Sequence, residues 1–254
     1  MSTLAVIPAR LGATRLPRKP LRLLGGVPLV IRVLERVQSL GLADRIVVAT
    51  ETDEVAEAVQ QAGGEALITS VAHPSGTDRV AEVAAHPAFA EYDIVVNVQG
   101  DEPFMRKDAM EGAIAMVRDH GFELGTAAGR REATILDDPN VVKVVRADDG
   151  RALYFSRAPI PFLRDVADAE ARDDLVLQHM GIYACRRAAL QRWVALPPHS
   201  LELVEKLEQL RALAAGLAMG VAIVEAPSWG EVNTEDDLVR ANAHWQALTA
   251  GSAP

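Results

Sequence analysis

The sequence predicts an α/β fold: a mostly parallel sheet with helices on both faces, carrying a small inserted β-rich region. Three observations point to it. Short β-branched apolar runs alternate with amphipathic helical patterns up to about residue 98. The 49% hydrophobic content of a 254-residue chain supplies a full core. Charged, glycine- and proline-rich segments interrupt the pattern where strands should end.

Residues 4–9 form the first expected strand, followed by strands at Arg45–Thr50, 65–69 and 93–98. Helices lie between them. Residues 28–40 place Leu29, Val33, Leu34 and Val37 on one face, and Asp53–Gln61 repeats the pattern with Val55 and Val59 before Gly63 and Gly64. The resulting βαβαβ rhythm predicts parallel pairing, with ligands beyond the carboxyl ends of the strands. Further on, residues 141–146 and 151–156 flank Asp148-Asp149-Gly150, a hairpin signal that suggests an added sheet or lid. Residues 164–174 read as a surface loop or short helix, 179–184 as a strand, 200–217 as one long helix and 221–225 as a last strand. Thr234 with Asp237 resembles a capping box opening the final helix. One domain over 1–250 is expected, with the insertion at about 130–185 and a small-residue tail at 251–254.

The most telling segment is residues 6–21, VIPARLGATRLPRKPL. Arg10, Arg15, Arg18 and Lys19 crowd a loop with Gly12 and Pro8, Pro17 and Pro20, in a chain whose formal net charge is −9. A rigid cationic loop at a strand end suits a nucleoside triphosphate, whose charge must be offset before a nucleophile approaches. Composition alone leaves a solvated basic turn as an equal reading.

Several function classes are disfavoured. Net acidity argues against general nucleic-acid binding. No apolar run reaches the ~20 residues of a membrane span, no leader-like segment opens the chain, and a cytoplasmic protein is expected. The single cysteine, Cys185, rules out an internal disulfide and reads as a small buried hydrophobe. Neither the Walker A pattern nor the dinucleotide-binding G-x-G-x-x-G occurs.

VIPAR, RLPRKPL, HPSGTDR (73–79), NVQGDEP (97–103), NVVKVV (140–145), ALYFSRAPIP (152–161), HMGIYA (179–184) and LEQLR (207–211) stand in this order along the chain. Together they resemble the sugar nucleotidyltransferases, and narrowly the 3-deoxy-manno-octulosonate (KDO) cytidylyltransferase family, from residue 4 to about 245. The resemblance implies a Rossmann-like sheet of the nucleotide-diphospho-sugar transferase type. It implies that CTP and KDO react to give CMP-KDO and pyrophosphate, with Mg²⁺, in a homodimer serving lipopolysaccharide biosynthesis.

Carried over residue by residue, it makes Arg10, Lys19 and Asp101 catalytic, and Arg10, Arg15, Lys19, Ser75, Gly76 and Gln99 CTP-binding. Arg157, His179, Tyr183, Glu208 and Gln209 match sugar-binding positions. Arg18 is expected to be a solvated side chain, and Glu102 a structural contact beside the turn. Asp101 and position 233 match the Mg²⁺ ligands, but here the family's Val-Asp-Thr reads Val232-Asn233-Thr234. A neutral amide oxygen replaces a carboxylate, while Asp236 and Asp237 read as capping residues. Two alternatives stay open: another acid sugar such as 8-amino-KDO, or a non-catalytic nucleotide-binding protein.

Overall fold

The computed structural model describes residues 1–12, 15–225 and 229–250. They form two compact units: an N-terminal unit of residues 2–91, 97–105 and 229 onward, and a central unit of residues 92–96 and 106–225.

The N-terminal unit begins with β1 (Thr3–Ala9), a two-residue ribbon of β2 (Leu23–Leu24) and β3 (Val27–Pro28), then α1 (Leu29–Leu40), β4 (Arg45–Thr50), α2 (Asp53–Gln61), β5 (Ala66–Ile68) and α3 (Gly76–Ala85). β1 pairs parallel with β4 from Leu4↔Arg45 to Ala9↔Thr50, and β4 pairs parallel with β5. Nearly every β1 side chain is buried, as a strand covered on both faces requires. α1 buries Leu29, Val30, Val33, Leu34 and Val37, and stops where Gly41 adopts φ 65°, a left-handed conformation that glycine takes without a Cβ clash. β5 is shorter than the expected 65–69, although Glu65 and Thr69 still hydrogen-bond to β4 through Val48 N→Glu65 O and Thr69 N→Thr50 O.

The terminal helix Glu235–Ala250 opens as the capping pattern predicts. Asp237 N donates to Thr234 Oγ1 at 3.2 Å, and Thr234 N donates to Asp237 Oδ2 at 2.8 Å. Leu238 and Ala241 of this helix pack with Leu16, Leu24, Leu29 and Val232. Leu16 therefore pins the basic loop to the core in mid-course. Pro20, also buried, does the same further along.

The central unit contains β6 (Ile94–Asn97), α4 (Lys107–Arg118), β7 (Leu124–Arg130), β8 (Lys143–Arg146), β9 (Ala152–Ser156), α5 (Ala169–Asp173), β10 (Leu177–Arg186), α6 (Arg187–Ala195), α7 (Ser200–Glu205), α8 (Gln209–Ala214) and β11 (Met219–Val224). Its strands follow the order β11-β7-β10-β6. β11 runs parallel to β7, whereas β10 runs antiparallel to it. The expected hairpin is present as β8 and β9, turned at Gly150 with φ 91° and joined to β10 through Gln178↔Lys143. Residues 164–174 hold a 3₁₀ turn and the five-residue α5.

The expected single helix over 200–217 is instead two short helices, α7 and α8. Lys206 takes a left-handed φ of 56°, which ends α7 and sends Leu207 into the core. The 251–254 tail lies outside the described residues.

Candidate active site

The basic loop, HPSGTDR and NVQGDEP, the segments expected to bind nucleotide, meet around the end of β1. Val98 N donates to Val6 O at 3.0 Å, which carries the NVQGDEP segment alongside β1. Gly100 then passes so close that a Cβ there would lie 2.5 Å from the Pro8 carbonyl oxygen. Gly76, opening α3, sits beside the Pro8 ring, a Cβ there falling 3.4 Å from Cγ. Ser75 caps α3: its Oγ accepts from Asp78 N at 3.3 Å and donates to Asp78 Oδ2 at 2.6 Å. The hydroxyl is thus committed locally to Asp78. Gln99 is half-buried, and its carbonyl accepts from Glu102 N at 3.2 Å.

Lys19, Asp101 and Asn233 come from three distant parts of the sequence and converge. Lys19 Nζ donates to Asp101 Oδ2 at 2.5 Å and to Asn233 Oδ1 at 3.0 Å. Main chain holds the pair in place, since Val232 N donates to Asp101 O at 3.0 Å. Asn233 Nδ2 in turn donates to Glu231 Oε2 at 2.6 Å. Arg10 and Arg15 are exposed on the loop that carries Lys19. Arg18 also faces solvent, paired with Glu54, as the sequence reading expected.

Carboxyl crowding marks this corner. Burial, Glu231 and Asp101 hold the Glu102 carboxyl well above its ordinary range. Glu231 is an exposed residue, yet local desolvation and the Asp101 charge also push its carboxyl upward, against the hydrogen bond from Asn233 and the cations Lys19 and Arg15. A corner rich in carboxyl and amide oxygens suits a hard cation. Among the described residues, no group of three or more His, Cys, Asp or Glu forms a metal cage. Mg²⁺ needs no such cage, because it is ordinarily held by one or two carboxylates together with substrate phosphates.

In the central unit, β10 is bulged between His179 and Tyr183, where Gly181 has φ 68°. The His179 and Tyr183 rings lie 5.4 Å apart, and Phe155 packs edge-on to His179 at 4.9 Å. Burial lowers the His179 pKa from 6.5 to about 3, so the ring is neutral. Thr126 Oγ1 donates to Ile182 O at 2.6 Å and lies 2.9 Å from His179 Nε2. That network assigns the proton to Nε2 and leaves Nδ1 as an acceptor.

Arg157 is more constrained than its sequence suggested. Its Nε donates to Glu205 O and its Nη1 to Pro139 O, both at 2.8 Å, while its backbone N donates to Glu205 Oε2. Glu208 is the half-buried N-cap of α8. Gln209 beside it is 3% exposed, and its Nε2 has no hydrogen-bond partner among the described residues. A buried, unmatched donor costs on the order of 1–3 kcal/mol, which a ligand acceptor would recover.

The family model described as "Cytidylyltransferase" matches residues 4–222. The chain belongs to the cytidylyltransferase family. A relative from Gemmatimonas aurantiaca, named 3-deoxy-manno-octulosonate cytidylyltransferase, is 59% identical over 253 residues, covering 100% of this chain and 98% of its own length. One of the same name from Thermodesulfovibrio yellowstonii is 41% identical, covering 94% of this chain and 96% of its own. A solved structure of CMP:2-keto-3-deoxy-manno-octonic acid synthetase complexed with CTP superposes with a TM-score of 0.88 at 38% identity, covering 100% of both chains. The α/β class and mostly parallel sheet expected from the sequence agree with that likeness. A 4-diphosphocytidyl-2C-methyl-D-erythritol synthase from Anaerococcus prevotii, 16% identical with a TM-score of 0.64, shares the fold alone.

Sequence reasoning missed four supporting residues of this cytidylyltransferase. Glu51 accepts from Leu11 N at 2.9 Å and pairs with the buried Arg79 at 3.0 Å, tying the basic loop to the HPSGTDR segment. Glu205 receives Ser156 Oγ at 2.7 Å as well as the Arg157 amide. Lys143 of NVVKVV is fully buried, donating to Asp138 O, Val141 O and Arg157 O. Glu231 is the fourth. Its only sequence signal is that it stands two residues from Asn233.

Proposed function

We propose that this cytidylyltransferase couples CTP to 3-deoxy-D-manno-octulosonate, releasing pyrophosphate and activating the sugar for lipopolysaccharide synthesis in the cytoplasm. The observation that carries the reading is the 59% identity over the whole chain to a relative of that name. The anomeric hydroxyl oxygen of KDO attacks the α-phosphorus of CTP; the new P–O bond forms as the bond to pyrophosphate breaks, and the hydroxyl proton leaves to solvent.

Negative charge on the phosphate oxygens is the main obstacle, so the work of the N-terminal unit is electrostatic. Arg10, Arg15 and Lys19 bind and orient the triphosphate. Gly76 and Gln99 offer the base a main-chain edge and an amide, with Ser75 holding that turn in shape. Asp101 and Asn233 supply oxygens of the type Mg²⁺ prefers and would hold it. When bound, Mg²⁺ screens phosphate charge and polarises the α-phosphate.

The acid sugar falls to the central unit. Neutral His179 offers Nδ1 to a sugar hydroxyl, Gln209 Nε2 donates to a sugar oxygen, and Tyr183 walls the site. Glu208 stands next to Gln209 as a further acceptor. Arg157, with two of its nitrogens held on carbonyls, keeps Nη2 for the KDO carboxylate. A homodimer is part of this reading.

Pyrophosphate release from CTP tests it, with KDO, 8-amino-KDO and a sialic acid as acceptors and UTP and ATP as alternative donors. KDO-dependent release with preference for CTP is expected. CTP binding without turnover on any acid sugar would overturn it, and turnover on 8-amino-KDO alone would reassign the sugar.

A further inference from the structure

The chain carries an amide at position 233 and a carboxylate two residues earlier, and the structure joins them. Asn233 Nδ2 donates to Glu231 Oε2 at 2.6 Å, while Asn233 Oδ1 faces Lys19 Nζ at 3.0 Å. A carboxylate at 233 would present an oxygen whichever way it turned. An amide does so in only one of its two orientations, and the other would aim NH₂ at the Lys19 ammonium. The Glu231 bond fixes the productive orientation.

We propose that Glu231 is a positioning residue for the cation site: it holds the Asn233 oxygen toward the cation and returns, one bond further out, the negative charge that the amide lacks. The outer partner of a ligand often does this, since accepting a hydrogen from the ligand's far side orients it and raises its basicity. Backbone geometry supports the arrangement. Val232, between the two residues, is fully buried and donates its N–H to Asp101 O at 3.0 Å. Asn233 N donates to Asp237 Oδ2 at 3.0 Å. The segment is therefore fixed on both sides, and Glu231 faces the same corner as Asp101 and Lys19. The inference rests on the reading of Asp101 and Asn233 as the Mg²⁺ oxygens.

The test is Mn²⁺ binding to the protein–CTP complex, read by the EPR signal of free Mn²⁺, with Mn²⁺–CTP binding in buffer measured separately. Glu231→Gln is expected to weaken Mn²⁺ binding on the order of tenfold. Adding Asn233→Asp to that variant should restore affinity to within about twofold of the parent, because the charge is then back on the ligand. A structural role for Glu231 would give no such rescue. If Asp101→Asn weakens Mn²⁺ binding but Glu231→Gln does not, or if the double variant stays as weak as Glu231→Gln, the inference is overturned. If Asp101→Asn also leaves Mn²⁺ binding unchanged, the underlying cation-site reading falls with it. Thermal melts accompany each variant, and Glu231, an exposed residue, is expected to leave the melting temperature unchanged on substitution by Gln.

Discussion

Gly100 and the Pro8 carbonyl are in such close approach that a Cβ on Gly100 would stand 2.5 Å from the carbonyl oxygen. The neighbour is backbone, fixed within a strand whose Val6 carbonyl also receives Val98 N, so it cannot swing aside as a flexible side chain would. Gly100→Ala should therefore destabilise the protein by about 1–3 kcal/mol and displace Asp101 next to it. Urea unfolding with CTP calorimetry checks this: both the unfolding midpoint and CTP affinity are expected to fall.

Lys19 bridges Asp101 and Asn233 with one ammonium group. Lys19→Met keeps much of the stem but leaves the carboxyl-rich corner without its nearest cation. The expected loss in kcat is on the order of 10²–10³-fold, comparable to removing one preorganised donor from a charged transition state. Steady-state pyrophosphate release gives the value, and a loss below about threefold would remove Lys19 from the chemistry.

His179 predicts an acid sensitivity with a definite sign. Burial lowers its pKa from 6.5 to about 3, so the unfolded chain takes up a proton in the range where the folded one does not. Stability from this group is intact above pH 6.5 and declines as pH falls toward about 3. Between pH 7 and pH 5 the decline amounts to about 2 kcal/mol. Urea midpoints at the two pH values should show it, and His179→Gln should lack that share of the pH dependence.

Cys185 is buried, and desolvation pushes its thiol up to about 12. The thiolate is the reactive form, so native protein should resist Ellman's reagent and react stoichiometrically only once unfolded in guanidinium. Rapid labelling of the folded protein would contradict the burial.

The local patterns were legible in sequence where neighbouring residues decide the outcome. β4 and α2 match their expected bounds because β-branched and amphipathic periodicity act within a few residues. The Thr234–Asp237 cap is equally local. The helix expected over 200–217 failed because its break depends on the left-handed backbone at Lys206, which the periodicity of the segment does not signal. In the site, the resemblance supplied Lys19 and Asp101, but the partners that hold their neighbours in place were hidden. Glu51 acts on Leu11 from 40 residues away and Glu205 on Ser156 from 49, and no spacing rule encodes such pairs. The motif match marks Arg157 as a sugar-binding position but carries no sign that folding commits two of its nitrogens to carbonyls.

The proposed division of labour, with nucleotide in the N-terminal unit and acid sugar in the central unit, is tested most directly by the KM for KDO of Gln209→Leu at saturating CTP. Leucine removes the buried donor that lacks a partner, so the fold should be as stable as the parent or more so. The KM for KDO should rise on the order of tenfold, the equivalent of one hydrogen bond of about 1.4 kcal/mol, while the calorimetric Kd for CTP stays unchanged. An unchanged KM for KDO in a folded variant would contradict the placement of the sugar in the central unit.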